Sequence, residues 1–126
     1  KLQALVTLGI ANSRMKDFYD LHRLALGHTF DGASLVAAVR STFARRATPF
    51  PAGIPVALQH GFLSESTRAL QWRAFLRRGR LNAPPGVEDL TRVLRSFLLP
   101  VLASSAGRSA GCGVWEAEGP WSSVSE

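Results

Sequence analysis

The chain has 126 residues, 46% of them hydrophobic, and a net charge of +6. That is one domain at most, apolar enough to fold around a modest core rather than remain disordered. A single cysteine, Cys112, excludes an intrachain disulfide and a cysteine-based zinc site, and no apolar run reaches the roughly 18 residues that cross a bilayer. Lys1 and Lys16 are the only lysines, so arginine supplies nearly all the positive charge. The arginine fork binds phosphate bidentately and stacks on bases, which favours an anionic partner such as nucleic acid. A GC-rich genome would produce the same arginine bias. The chemistry fits a reducing cytoplasm, the expected location.

Along the chain, Lys1 to Ile10 is apolar with helical spacing, and Gly9 and Asn12 then mark a break. Ser13 is the expected N-cap of a second helix through Leu26, stopped by Gly27. Met15, Phe18, Tyr19, Leu21, Leu24 and Leu26 supply its buried side. Asp31 is the expected cap of a third helix over Gly32 to Arg46, with Leu35, Val36, Val39 and Phe43 inward. Pro49, Pro51, Gly53 and Pro55 make the next stretch a loop, with weak strand character at Pro55–Leu58. A fourth helix is expected from Ser64 to Leu81, capped by Ser64 or Ser66. A fifth runs from Val87 to Leu102, kinked or shortened by Pro100. From Ala103 the chain is rich in Ser and Gly and reads as a mostly flexible tail, with Trp115 and Trp121 available to dock. The expected organisation is an all-α chain of about five helices over residues 1–102, followed by a tail over 103–126.

The segment Asn12-Ser13-Arg14-Met15-Lys16-Asp17-Phe18-Tyr19-Asp20-Leu21 concentrates charge beside residues that belong in a core. Asp17 and Asp20 are three apart and share a helix face. Two readings are open. Lys16 with Asp20, and Arg14 with Asp17, have the spacing of intrahelical ion pairs contributing roughly 0.2–0.5 kcal/mol each. Alternatively, the acids orient a divalent metal or act as a base while the cations hold phosphates; Mg²⁺ commonly takes one or two carboxylates plus substrate phosphates.

This segment resembles the Arg-x-Lys-Asp-x-x-Asp-Leu motif of the AbiEii/AbiGii nucleotidyltransferase toxin family, and Lys1-Leu2-Gln3-Ala4-Leu5 resembles that family's Lys-Leu-x-Ala segment. The order and short separation of the two are also similar. Supporting similarity runs through Phe30-Asp31-Gly32-Ala33, Trp72 to Arg78, Phe97 to Leu102 and Gly119-Pro120-Trp121. The resemblance implies a toxin of a type IV toxin–antitoxin or abortive-infection system. Its polymerase-beta-like α/β core would use Mg²⁺ and an NTP to transfer NMP to an RNA acceptor, tRNA foremost. Its partner would be an AbiEi-like antitoxin. By the family pattern Lys1 contacts the NTP phosphates, Asp17 and Asp20 act at the catalytic centre, and Arg14 and Lys16 support them. Phosphoryl transfer is mostly positioning and charge neutralisation, which such residues supply.

One departure from the pattern matters. The family's Gly-Gly-Ser/Thr loop and Asp-x-Asp strand motif occur nowhere in the 126 residues. The two-metal arrangement is therefore not expected from this chain alone. The expectation is the helical C-terminal part of such an enzyme, inactive by itself, with the missing N-terminal part of the same protein as a partner. An alternative is a helical module without catalysis that binds antitoxin or RNA.

Arg73, Arg77, Arg78 and Arg80, joined by Arg40, Arg45 and Arg46, have the composition of an RNA-backbone surface, with Trp72 able to stack on a base. The competing reading is a solvated helix face with Trp72 in the core. His22, His28 and His60 lack metal-ligand spacing, and Cys112 has no nearby partner.

Overall fold

The computed structural model describes residues 2–8, 15–81, 86–108 and 111–122. Its elements in chain order are helices α1 (Leu2–Leu8) and α2 (Met15–Gly27), strand β1 (Phe30–Asp31), helix α3 (Gly32–Arg45), a 3-10 turn (Val56–Leu58), helices α4 (Ser66–Gly79) and α5 (Val87–Ser105), and strand β2 (Val114–Trp115). The described residues are mainly helical, as expected, but not all-helical. β1 and β2 pair antiparallel with Phe30 opposite Trp115 and Asp31 opposite Val114, and Trp115 also bridges to Trp121. Strands of two residues leave no period-2 pattern to read in a sequence.

The helix boundaries follow local chemistry. Asp31 caps α3, its Oδ2 accepting from the Ser34 amide at 3.0 Å and the Ser34 hydroxyl at 2.7 Å. These bonds favour the charged form and hold the Asp31 carboxyl below its ordinary pKa. At α4 the expected serine caps give way to Glu65, whose carboxylate accepts from the amides of Thr67 at 3.0 Å and Arg68 at 3.4 Å. Ser66 becomes the first helical residue. The carboxylate satisfies two orphan amides and lies at the positive end of the helix dipole. α4 ends two residues before the expected Leu81. Leu81 N–H donates to Leu76 O and Arg80 N–H to Arg77 O, the pairing of a Schellman motif. The left-handed residue there is Arg80, at φ 51° and ψ 45°.

Pro100 does not shorten α5, which continues to Ser105. Its ring removes one ladder hydrogen bond. Burial of Leu98, Val101 and Leu102 holds the helix through it. Arg40 then serves the helix end, donating from Nε to Ser105 O and from Nη2 to Ser104 O, each at 3.0 Å. The Pro55–Leu58 stretch forms the 3-10 turn rather than a strand.

α5 is the spine against which α2 and α3 pack. The core between them holds Leu5, Phe18, Phe43, Leu58, Leu63, Trp72, Leu90, Leu94, Phe97 and Trp115. Beyond α5 the chain turns back. Trp115 is buried and Trp121 stacks on Phe97 at 6.0 Å, its indole nitrogen donating to Phe97 O at 2.8 Å. The aromatic docking open to this segment is therefore present. No helix among the described residues is long and apolar enough to cross a membrane.

Candidate functional site

The charged segment opens α2, and the helix separates its residues by face. Met15, Phe18, Tyr19 and Leu21 turn into the core. Phe18 meets Phe62 at 6.4 Å, and Tyr19 meets Trp72 at 6.5 Å and Phe75 at 5.8 Å. Lys16 projects to solvent with 71% of its side chain exposed and pairs with the Asp20 Oδ2 at 2.8 Å. Asp17 points inward and is 1% exposed.

Asp17 and Asp20 therefore share a helix but not an environment. Asp20 belongs to an exposed ion pair, as the plainer of the two sequence readings has it. Asp17 lies in the first turn of α2, where the free amides and helix dipole favour a carboxylate. Lys1 and Arg14 lie outside the described residues, so the Arg14–Asp17 spacing and the Lys1 contact to phosphate do not enter the geometry.

One turn further along α2, His22 is also buried, 1% exposed. Desolvation pushes its pKa below the ordinary value, opposed in part by the Asp89 carboxylate at the start of α5. Near that end of α5 lies an open groove of about 350 Å³, lined by His60, Ser64, Glu88, Thr91, Arg92 and Arg95 among others. Arg95 is fixed by donating to Leu58 O at 2.7 Å, and Arg92 pairs with Asp89 at 3.3 Å. Neither the groove nor the capping by Arg40 was legible in the sequence, because each joins residues far apart along the chain.

Trp72 is fully buried, so it offers no face to a nucleic-acid base. The four arginines around it, Arg73, Arg77, Arg78 and Arg80, are all exposed. Cys112 is buried beside Ser104, Oγ to Sγ 3.7 Å, and burial pushes its thiol pKa up.

Among the described residues no group of three or more His, Cys, Asp or Glu side chains could hold a metal ion. The buried Asp17 and the lysine-paired Asp20 do not make a Mg²⁺ site by themselves. What this chain's described residues bring is an inward carboxylate, an exposed lysine–carboxylate pair and a basic surface.

The family model for the nucleotidyl transferase AbiEii toxin of type IV toxin–antitoxin systems matches residues 1–96. The chain belongs to this AbiEii nucleotidyltransferase toxin family. Membership implies an NTP substrate and a cognate antitoxin. Comparison with curated proteins and with solved structures gave no match.

Proposed function

We propose that this chain carries the downstream half of a nucleotidyl-transfer centre that moves NMP from an NTP to an RNA acceptor, tRNA foremost, in the cytoplasm. The observation that carries the reading is Asp17, a carboxylate 1% exposed within the motif segment of a chain matched to the family. Burying a carboxylate is costly unless it is paired or hydrogen-bonded, so an inward aspartate calls for a reason beyond helix amphipathicity. Lys16, with Lys1 and Arg14, holds NTP phosphates; Asp17, with Asp20, acts at the centre. The Gly-Gly-Ser/Thr loop and Asp-x-Asp pair, absent from these residues, come from an upstream part of the same protein, which also completes the Mg²⁺ site.

The test joins this chain to the coding sequence found upstream of Lys1. Labelled NTP is incubated with that protein and a pool of cellular RNA. Asp17→Asn preserves side-chain volume and should leave the circular dichroism spectrum intact while lowering incorporation by about 10² or more. Full incorporation by a folded Asp17→Asn protein would sink the assignment. The 126-residue chain alone should incorporate nothing.

A second reading, a helical module that binds antitoxin or RNA without catalysis, is favoured by the exposed arginines of α4. It expects no incorporation even from the longer protein, and a start codon close upstream of Lys1.

A further inference from the structure

We propose that the outward face of α4 is a docking surface for an RNA phosphate backbone, built by Arg73, Arg77, Arg78 and Arg80. The choice of RNA over other polyanions rests on the proposed acceptor; the surface itself rests on how these arginines differ from the rest.

Most of the other described arginines are engaged by the protein. Arg40, Arg95 and Arg108 donate to the backbone carbonyls of Ser104 and Ser105, Leu58, and Pro51. Arg68 pairs with Glu65 and lies over the Phe62 ring at 4.1 Å, Arg92 pairs with Asp89, and Arg23 lies over Tyr19 at 5.8 Å. Arg73, Arg77, Arg78 and Arg80 have no such side-chain hydrogen bond, ion pair or ring contact among the described residues. No acid occurs between Ser66 and Leu81 to neutralise them.

Their arrangement is anchored. Trp72 and Leu76 are buried on the inner side of α4, which directs Arg73 and Arg77 outward. Those two are one turn apart on one face, with their Cβ atoms about 5–6 Å from each other. Arg78 and Arg80 flank them. The negative end of the helix dipole welcomes Arg77 and Arg78 in the last turn. It does not account for Arg73, a turn earlier, where a like-charged neighbour at i+4 is unfavourable. It does not account for Arg80 either. That residue occupies the left-handed position that ends the helix, where glycine is the usual choice. Four uncompensated guanidinium groups on a rigid frame suit a polyanion with regularly spaced charges. Each planar fork can take a phosphate bidentately. With Trp72 buried, the surface tracks backbone rather than stacking on bases, so its binding is salt-dependent and tolerant of sequence.

The test is fluorescence anisotropy of the 126-residue chain with a fluorescein-labelled RNA hairpin bearing a single-stranded 3′ end, without NTP, from 50 to 200 mM salt. Each phosphate contact contributes roughly 0.7–0.9 to the slope of log K against log salt. The quadruple variant R73Q/R77Q/R78Q/R80Q should flatten that slope by about 3 and bind at least about tenfold more weakly at the low-salt end. The control R45Q/R46Q, on the exposed arginines at the end of α3, should do much less. If the quadruple variant does not fold, R73Q/R77Q and R78Q/R80Q should each remove about half the slope. Unchanged affinity and slope, or an equal loss in the α3 control, overturns the proposal. Displacement of the RNA by polyglutamate at comparable charge concentration also overturns it, in favour of an acidic protein partner. Because no catalysis is read, failure here leaves the Asp17 assignment standing, and failure of incorporation leaves this one standing.

Discussion

The indole nitrogen of Trp115 donates a 2.7 Å hydrogen bond to the carbonyl oxygen of Ala25, and the Glu118 amide donates to the same oxygen at 2.9 Å. Ala25 belongs to the last turn of α2, where carbonyls have lost their helical partners. Trp115 and Glu118 lie beyond the residues matched by the family model. A segment outside that match thus closes the helix that carries Asp17. The two-residue sheet is the fastening: pairing Phe30 with Trp115 brings the indole under the end of α2.

Trp115→Ala should therefore destabilise the whole domain rather than fray its end. Removing so large a buried ring costs about 3–5 kcal/mol, read as a lower urea midpoint. Trp115→Phe keeps most of the apolar volume and loses the indole donor while the Glu118 amide remains. It should cost about 1–2 kcal/mol. A melt unchanged by Trp115→Ala would show that this segment is not part of the cooperative unit.

Gly32→Ala tests the other side of the fastening. A Cβ at Gly32 would run into the backbone of Cys112 and Gly113, and the Gly32 amide donates to Gly113 O at 2.7 Å. Backbone cannot rotate away as a side chain can, so the loss should be about 1–3 kcal/mol, with the Trp115 fluorescence shifted toward that of exposed indole. A neutral substitution would mean that β1 and β2 are not held as described.

Arg40→Met keeps much of the side-chain length and removes the two donors that serve the end of α5. Hydrogen bonds to charged donors contribute about 1.5–3 kcal/mol when well shielded; Arg40 is largely exposed, so about 1 kcal/mol is expected. Amide exchange should localise the effect to the last turn of α5. Equal protection of that turn in both proteins would count against the cap.

His22 sets a pH dependence. Its folded-state pKa is depressed, so the unfolded chain takes up the proton first. The stability held with His22 neutral is fully present above about pH 6.5, the ordinary histidine value. It is lost as pH falls from there toward the lower folded value. Urea midpoints measured from pH 7.5 to 5 should decline in wild type and decline less in His22→Asn. Equal slopes would show that the depressed pKa of His22 is not what links stability to pH.

Lys16→Gln separates the two roles open to the exposed pair. As an ion pair with Asp20 it contributes no more than about 0.5 kcal/mol, so the melting temperature should hardly move. In the longer protein the same substitution should raise the apparent KM for NTP about tenfold if Lys16 holds phosphate. Unchanged KM would leave Lys16 as a surface ion pair only.

By itself the sequence determined the helices and much of the chemistry. Periodic apolar residues placed Phe18, Tyr19, Val36, Phe43, Leu90, Leu94 and Phe97 inward, and Asp31 marked a helix start, because 3.6-residue periodicity and capping are local. The motif at Arg14–Leu21 was legible for the same reason: its residues are neighbours in the chain. The tertiary structure decided what depends on distant partners. It buried Asp17 while leaving Asp20 against Lys16, put Trp72 in the core, and carried α5 past Pro100 with Arg40 at its end. It replaced the expected serine cap, Ser64 or Ser66, by Glu65, whose longer carboxylate reaches two amides. It also paired residues as remote as Phe30 and Trp115, in strands too short to announce themselves. Those outcomes turn on which side chains meet across the fold, and local spacing carries no record of that.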